Sequence, residues 1–526
     1  MKKVLVFAGI VVLTVGVAAF FAERRLPSLV KERAARILRE RYNGEVEFGR
    51  FDVSIFPLSL SGEDLKFRQQ GRRDVPPLIT VKKFSAEASV LGFLRTPAHV
   101  DLVHLDSLQI TVPPKDQRVP DQPEQEHGKD HYPVVVDQIE CANCQVTVLP
   151  GKPEKDPLVF LIHQLHMQNA GLQRSAPFQA ALSNPKPSGE IQTSGHFGPW
   201  QREDVGKTPV SGDYTFDHAD MSTFRGLAGI LSSKGNYQGV LERIVAQGET
   251  DTPDFRLSMS GNPVPLHTQF HAIIDGTNGD TLLQPVTAQF LNTSLQANGG
   301  VENIPGQKGK TITLDAITKG RLEDILRLVL KSERPAMTGA IRFHSKIVLP
   351  PGEVEVVRRL RLDGRFVTDN ISFTVENLRE RLKGLSRRAQ GKPSDPTAGS
   401  DIFDLNGHFV AANGVARFPD LKFSIEGADV RLHGQFALQG EELDFRGMVR
   451  LDATLSQTQT GFKSLVLKLV DPFFKKDGAG AVIPIMVTGT RDHPSFGLAF
   501  GQQDKSKVSE RSQESDSSHK QKDHEN

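Results

Sequence analysis

The chain has 526 residues, and its 64 lysines and arginines nearly cancel its 63 aspartates and glutamates. Without a field of one sign, nucleic acid is not an expected partner. With 31 phenylalanines against 4 tyrosines and 1 tryptophan, most of the aromatic surface lacks a polar handle, which suits an apolar core or a lipid.

At the N-terminus Lys2 and Lys3 precede Val4 to Ala22, a charge-free run close to the ~20 residues that cross a bilayer as a helix. Val17-Ala18-Ala19 would suit signal cleavage, but the run is long for that role, so residues 1–23 are read as a retained transmembrane anchor. Arg24, Arg25, Lys31 and Arg33 after the span outnumber the two lysines before it, which by itself argues against export. Over 24–43, Leu26, Leu29, Val30, Ala34, Ile37 and Leu38 keep helical spacing, which predicts a juxtamembrane amphipathic helix ended by Asn43-Gly44.

Residues 44–390 read as a β-rich region. Val46, Phe48, Phe51, Val53 and Ile55 alternate with a slip at Gly49, which predicts a bulge. Strands continue over 78–112, the proline-rich stretch from Thr111 to Tyr132 reads as a loop, and 133–320 is mostly strand broken by Gly, Pro and Asn. Leu322, Ile325, Leu326, Val329 and Leu330 mark one short amphipathic helix, and Val375, Leu378, Leu382 and Leu385 another.

The clearest pattern lies in 401–500. Leu421, Phe423 and Ile425 alternate with Lys422, Ser424 and Glu426, the period of a strand with one apolar and one wet face. Past a turn at Gly427 the apolar side resumes with Val430, Leu432, Phe436 and Leu438, and past Gly440 with Leu443, Phe445, Val449 and Leu451. Closely spaced turns leave no room for helical crossovers, so the sheet is expected to be antiparallel. Phe462, Leu465, Val466, Leu469, Val470, Phe473 and Phe474 then fall at helical spacing, an amphipathic helix over 462–476, before the strand IPIMVTGT. Residues 501–526 carry almost no apolar side chain and are expected to be disordered.

Chemistry is hard to find. No nucleophile elbow, zinc helix or dinucleotide fingerprint occurs, and Gly309-Lys310-Thr311 lacks the first glycine of a phosphate loop. Cys141-Ala-Asn-Cys144 admits a redox pair, half of a zinc site, a local disulfide or two inert thiols, but no βαβ setting surrounds it. His163 and His166 point to opposite faces of a strand with no third ligand evident, and Asp275 to Asp280 lacks the calcium-loop spacing and reads as a turn. The expectation is a non-enzyme without metal or cofactor.

Three stretches carry a family likeness: the anchor and basic helix followed by GEVEFGRFDVSIFPLSLSGEDLKF; GRLEDILRLVLKSERPAMTGAIRFHSKIVLPPG with LSRRAQG downstream; and GVARFPDLKFSIEGADVRLHGQFALQGEELDFRGMVRLDATLS through IPIMVTGTRDHPSFG. Together they resemble the AsmA family, relatives of TamB and of the chorein-type bridge proteins. The resemblance implies a mainly β fold, an elongated, twisted antiparallel sheet bent into a groove, with a single-pass inner-membrane helix, a few short amphipathic helices and the bulk of the chain in the periplasm. It implies a part in moving phospholipid for outer-membrane biogenesis or in keeping the envelope intact.

The residues are compatible. So few helices cannot cover the apolar side of strands from 46 to 500, so either two sheets close on each other or the face is left for acyl chains. Leu421, Phe423, Ile425, Val430, Leu432 and Phe436 are the candidates for such a groove, or else ordinary sandwich core. The second case would make the protein an envelope scaffold with protein partners. The helix 462–476 could plug a groove, lie on a membrane or pack as core.

Overall fold

The computed structural model describes residues 44–112, 134–452 and 482–498, apart from 56, 70–72, 94–96, 150–156, 172–173, 202–203, 305–308, 333, 393–398, 400 and 492. The expected anchor (1–23), juxtamembrane helix (24–43), most of the Thr111 to Tyr132 loop, the helix 462–476 and the tail 501–526 therefore lie outside the described residues. Among the described residues no helix is long and apolar enough to cross a membrane.

The fold is mainly β and open, in two compact units. The first holds residues up to Leu291 with Leu295–Leu314 and Pro350–Val356; the second holds Asn292–Ser294, Asp315–Leu349 and the chain from Val357 onward. In the first unit, Gly44–Glu47 and Arg50–Ile55 both pair with Leu58–Gln69. Between them the Gly49 N–H donates to the Glu63 carbonyl at 3.1 Å, and Asp64 takes a φ of 53°. The alternation breaks there as read, but without the extra residue of a bulge: Glu47 stands opposite Lys66 and Arg50 opposite Glu63, two residues between them on each strand.

Most later strands pair antiparallel with their sequence neighbours, from Leu58–Gln69 with Ile79–Ala88 to Val264–Ile274 with Thr281–Phe290. One pair corrects the antiparallel expectation. Ala98–Val112 and Val134–Val148 run parallel, Val100 opposite Val136. A parallel partner needs a connection of roughly a dozen residues or more, and the stretch 113–133, most of it within the Thr111 to Tyr132 loop of the sequence reading, is long enough to return the chain. Asp275 to Asp280 is a turn, as expected: the Asp275 N–H donates to the Asp280 carbonyl at 2.8 Å and Asp275 Oδ1 accepts from the Thr277 N–H at 2.9 Å.

The second unit contains an antiparallel meander of Met337–Leu349, Arg361–Phe373, Phe403–Ala412, Val415–Ile425, Ala428–Ala437, Glu442–Leu451, Val482–Thr490 and Pro494–Leu498. Gly427, at φ 80°, makes the tight turn that the alternation required. Both short helices form where apolar residues recur at helical spacing, as Leu322–Val329 and Glu376–Ala389. Acidic residues open each and basic residues close each, which favours the helix dipole. Asp324, buried in the first helix, accepts hydrogen bonds from the Asn292 N–H and the Thr293 hydroxyl, both at 2.9 Å, so its charge is compensated.

Candidate functional site

Register decides which of the alternating residues share a surface. Leu421 stands opposite Leu432, Phe423 opposite Val430 and Ile425 opposite Ala428, while Phe436 stands opposite Leu443. Directly opposed residues point to the same side of a sheet, so all six groove candidates lie on one face. They do not share one environment. Ile425 is 5% exposed and Val430 2%, in a cluster with Ile371, Val449 and Leu451 against which Leu326, Leu382 and Leu385 pack from the helices. The two helices thus cover one end of the face, and the Ser386 hydroxyl donates to the Glu426 carbonyl at 2.9 Å to hold the second of them there. Phe423 and Leu432 line the margin of that cluster, and they, Leu421 and Phe436 are only half-buried.

Further along the same face runs a ladder of rings that reading strand by strand does not reveal. Phe343 meets Phe409 at a centroid distance of 6.2 Å, Phe409 meets Phe366 at 6.3 Å, Phe366 meets Phe418 at 6.5 Å and Phe418 meets Phe445 at 5.7 Å. These offset and edge-on arrangements are worth about 0.5–1.5 kcal/mol a pair beyond the area they bury. Glycines make room for them: Phe366 stands opposite Gly407 and Phe409 opposite Gly364, and rings commonly cover strand glycines in this way. The signal in the sequence is the triplet Gly-x-Phe at 364–366, 407–409 and 434–436, mirrored as Phe-x-Gly at 445–447. A period of two puts ring and glycine on one side, and antiparallel pairing sets each against the other on the next strand.

The first unit repeats the device with tyrosine. Tyr214 stands opposite Gly235, and a Cβ on Gly212 would meet the Tyr237 hydroxyl at 2.7 Å. Their hydroxyls bond within the same face, Tyr214 to the Ser233 hydroxyl at 3.0 Å and Tyr237 to the Thr193 hydroxyl at 2.7 Å. Burial pushes both phenols above their ordinary value of 10.0. A group whose pKa is raised on folding stabilises the fold below its unfolded pKa and loses that contribution as pH rises through the folded one. Stability is therefore expected to fall once pH climbs past about 10, and less so in a Tyr214→Phe, Tyr237→Phe protein. Urea melts across that range check it, together with phenolate absorbance that rises late for these two rings.

The reverse face is charged. Lys234 pairs with Glu249 at 2.9 Å and His267 with Asp251 at 2.7 Å in the first unit, and His344 pairs with Asp315 at 2.7 Å and His408 with Asp363 at 2.8 Å in the second. The hydrogen bond that Lys234 donates to the Glu249 carboxylate raises the lysine's pKa. Such exposed pairs add little stability, but they keep this side wet.

The residues singled out for chemistry have ordinary surroundings. Cys141 and Cys144 form a disulfide. Asn143, at φ 54°, shifts the strand's alternation by one residue, so that both sulfurs turn to the buried side. His163 bonds the Ser183 hydroxyl at 2.6 Å, and Lys310 pairs with Asp280 at 2.9 Å. What remains is an apolar, ring-lined face backed by a charged one, a surface that can hold hydrocarbon without polar chemistry. No protein-family model matches the chain, and no curated protein matches its sequence.

Proposed function

We propose that this protein handles lipid, holding the acyl chains of phospholipid against the apolar faces of its sheet, as a membrane-anchored periplasmic member of the AsmA family serving outer-membrane and envelope biogenesis. The observation that carries the reading is the half-burial of the rings. Among the described phenylalanines only Phe290 and Phe445, each 9% exposed, are buried, whereas a closed sandwich would bury most of them. Each methylene moved from water onto such a surface contributes about 0.8 kcal/mol, so an acyl chain needs no polar partner to stay. The Cys141–Cys144 disulfide suits an oxidising compartment such as the periplasm.

The scaffold alternative draws on the helix-covered end of the second unit, where Ile425 and Val430 are filled core rather than open surface. It needs the rest of the face to be closed by protein.

The test is photo-crosslinking in membranes with benzoylphenylalanine at Phe178, Phe270 or Phe418 on the apolar side, and at Lys422 or Arg431 on the charged side. Mass spectrometry is expected to find phospholipid adducts at the first three positions and none at the last two. Adducts to protein alone at the first three would reject the reading and favour the scaffold.

A further inference from the structure

The apolar side of the second unit runs on past the ring ladder to the last described strand. Phe445 stands opposite Val487 and Val487 opposite Phe496, while Gly447 stands opposite Ile485 and Ile485 opposite Leu498. Opposed residues share a face, so Phe496 and Leu498 end the same side, and at 50% and 57% exposure they form its open rim. One cation reaches this rim. The Arg381 guanidinium lies over the Phe496 ring, 5.5 Å from its centroid. Stacking of this kind uses the flat face of a guanidinium and not its N–H edge, the part that recognises phosphate.

Arg381 belongs to the helix Glu376–Ala389, which carries five cations against two carboxylates. Both carboxylates are engaged, Glu376 by Arg379 at 3.0 Å and Glu380 by Lys383 at 2.8 Å. At helical spacing Arg381, Gly384 and Arg388 fall on one flank, and Arg388 is exposed. Gly384 notches that flank: among the described residues a Cβ there would meet only Arg387 Nη2, at 3.9 Å. Glycine destabilises a helix interior relative to alanine, and no close packing calls for it here. The notch bares backbone between two arginines about 10 Å apart along the axis, a gap that their side chains can close.

We propose that this flank binds the headgroup phosphate of an anionic phospholipid, with Arg381 and Arg388 holding it over Gly384 while the acyl chains of the same lipid lie on the ring ladder. Hydrocarbon contact, on which the lipid reading above rests and which this site presupposes, does not tell one headgroup from another. Surplus positive charge does. It favours phosphatidylglycerol, which carries a net negative charge, over phosphatidylethanolamine, whose own ammonium offsets its phosphate.

The test is photo-crosslinking of the full-length protein in vesicles of equimolar phosphatidylglycerol and phosphatidylethanolamine, with benzoylphenylalanine at Phe418 and mass spectrometry of the adducts. Phosphatidylglycerol adducts are expected to exceed the others by at least about tenfold, and Arg381→Gln or Arg388→Gln each to cut that excess about fivefold, the worth of one arginine near anionic lipid. Total adduct yield should hold in both. Gly384→Leu should cut the excess likewise and melt no lower, since leucine is the better helix former. Arg431→Gln, the same change of charge on the charged face, should leave the excess as it was. Equal adducts of the two lipids in the wild type would overturn this headgroup site and leave lipid handling standing. So would an excess that survives both arginine changes, or one that falls as far with Arg431→Gln. Absence of any lipid adduct would overturn lipid handling itself, and the site with it.

Discussion

Val430→Asp is expected to unfold the second unit. Its side chain is 2% exposed beneath the helices and stands between Phe423 and Val449 on the neighbouring strands. A carboxylate there would lose its water and find no cation among Ile371, Val449 and Leu451. The cost belongs to the small class of substitutions above about 4 kcal/mol, comparable to the whole stability of many domains. Thermal melts by circular dichroism, with limited trypsinolysis to report each unit, measure it. Phe418→Gln is the contrasting variant: it removes a half-buried ring and its pairs with Phe366 and Phe445, about 1–3 kcal/mol, so it should melt well above Val430→Asp while lowering the phospholipid adduct of benzoylphenylalanine placed at Phe366. If Val430→Asp melted with the wild type, the helix-covered end would not be a core. Equal loss of fold in both variants would mean that the ladder is core as well, and lipid would have no face to occupy.

Gly434→Val is expected to have the second largest effect. A Cβ at position 434 would lie 2.2 Å from the Asp444 carbonyl oxygen, 2.6 Å from the Phe445 Cα and 2.8 Å from Phe445 Cδ1. Two of those three atoms are backbone, so relief requires the strands to part. Overpacking of this kind costs about 1–3 kcal/mol, and the gain in β-propensity from valine, which is within about 1 kcal/mol, does not offset it. Gly440→Ala is the control, since its Cβ would meet nothing nearer than Glu442 Cγ at 3.4 Å, an ordinary contact. Denaturant midpoints of the two variants decide the matter. Equal midpoints would show that the close approach of ring and glycine does not shape this face.

Much of the local structure was legible because it depends on near neighbours. The slip at Gly49, the turn at Gly427, the Asp275 to Asp280 turn and both helices follow from alternation, helical spacing and turn chemistry within a dozen residues. The candidate face was legible in part. Alternation correctly put Leu421, Phe423, Ile425, Val430, Leu432 and Phe436 on one side, yet an alternating strand reads the same whether helix, lipid or water covers it. The ring ladder left its trace as Gly-x-Phe triplets, whose meaning appears only when antiparallel register sets Phe366 against Gly407.

By itself the sequence determined the class of this protein: strands with one apolar and one charged side, few helices, and aromatic surface that is mostly phenylalanine. Those features arise from periodicity and composition, which are properties of the chain one stretch at a time. Tertiary structure alone decided three things, all of which join residues far apart in sequence. It made one strand pair parallel, and it buried Ile425 and Val430 while leaving the ladder half-open. It also brought His104 and His166 to either side of Glu140 across three neighbouring strands. Cover and convergence depend on which distant segments meet, and the pattern within a strand carries no record of them.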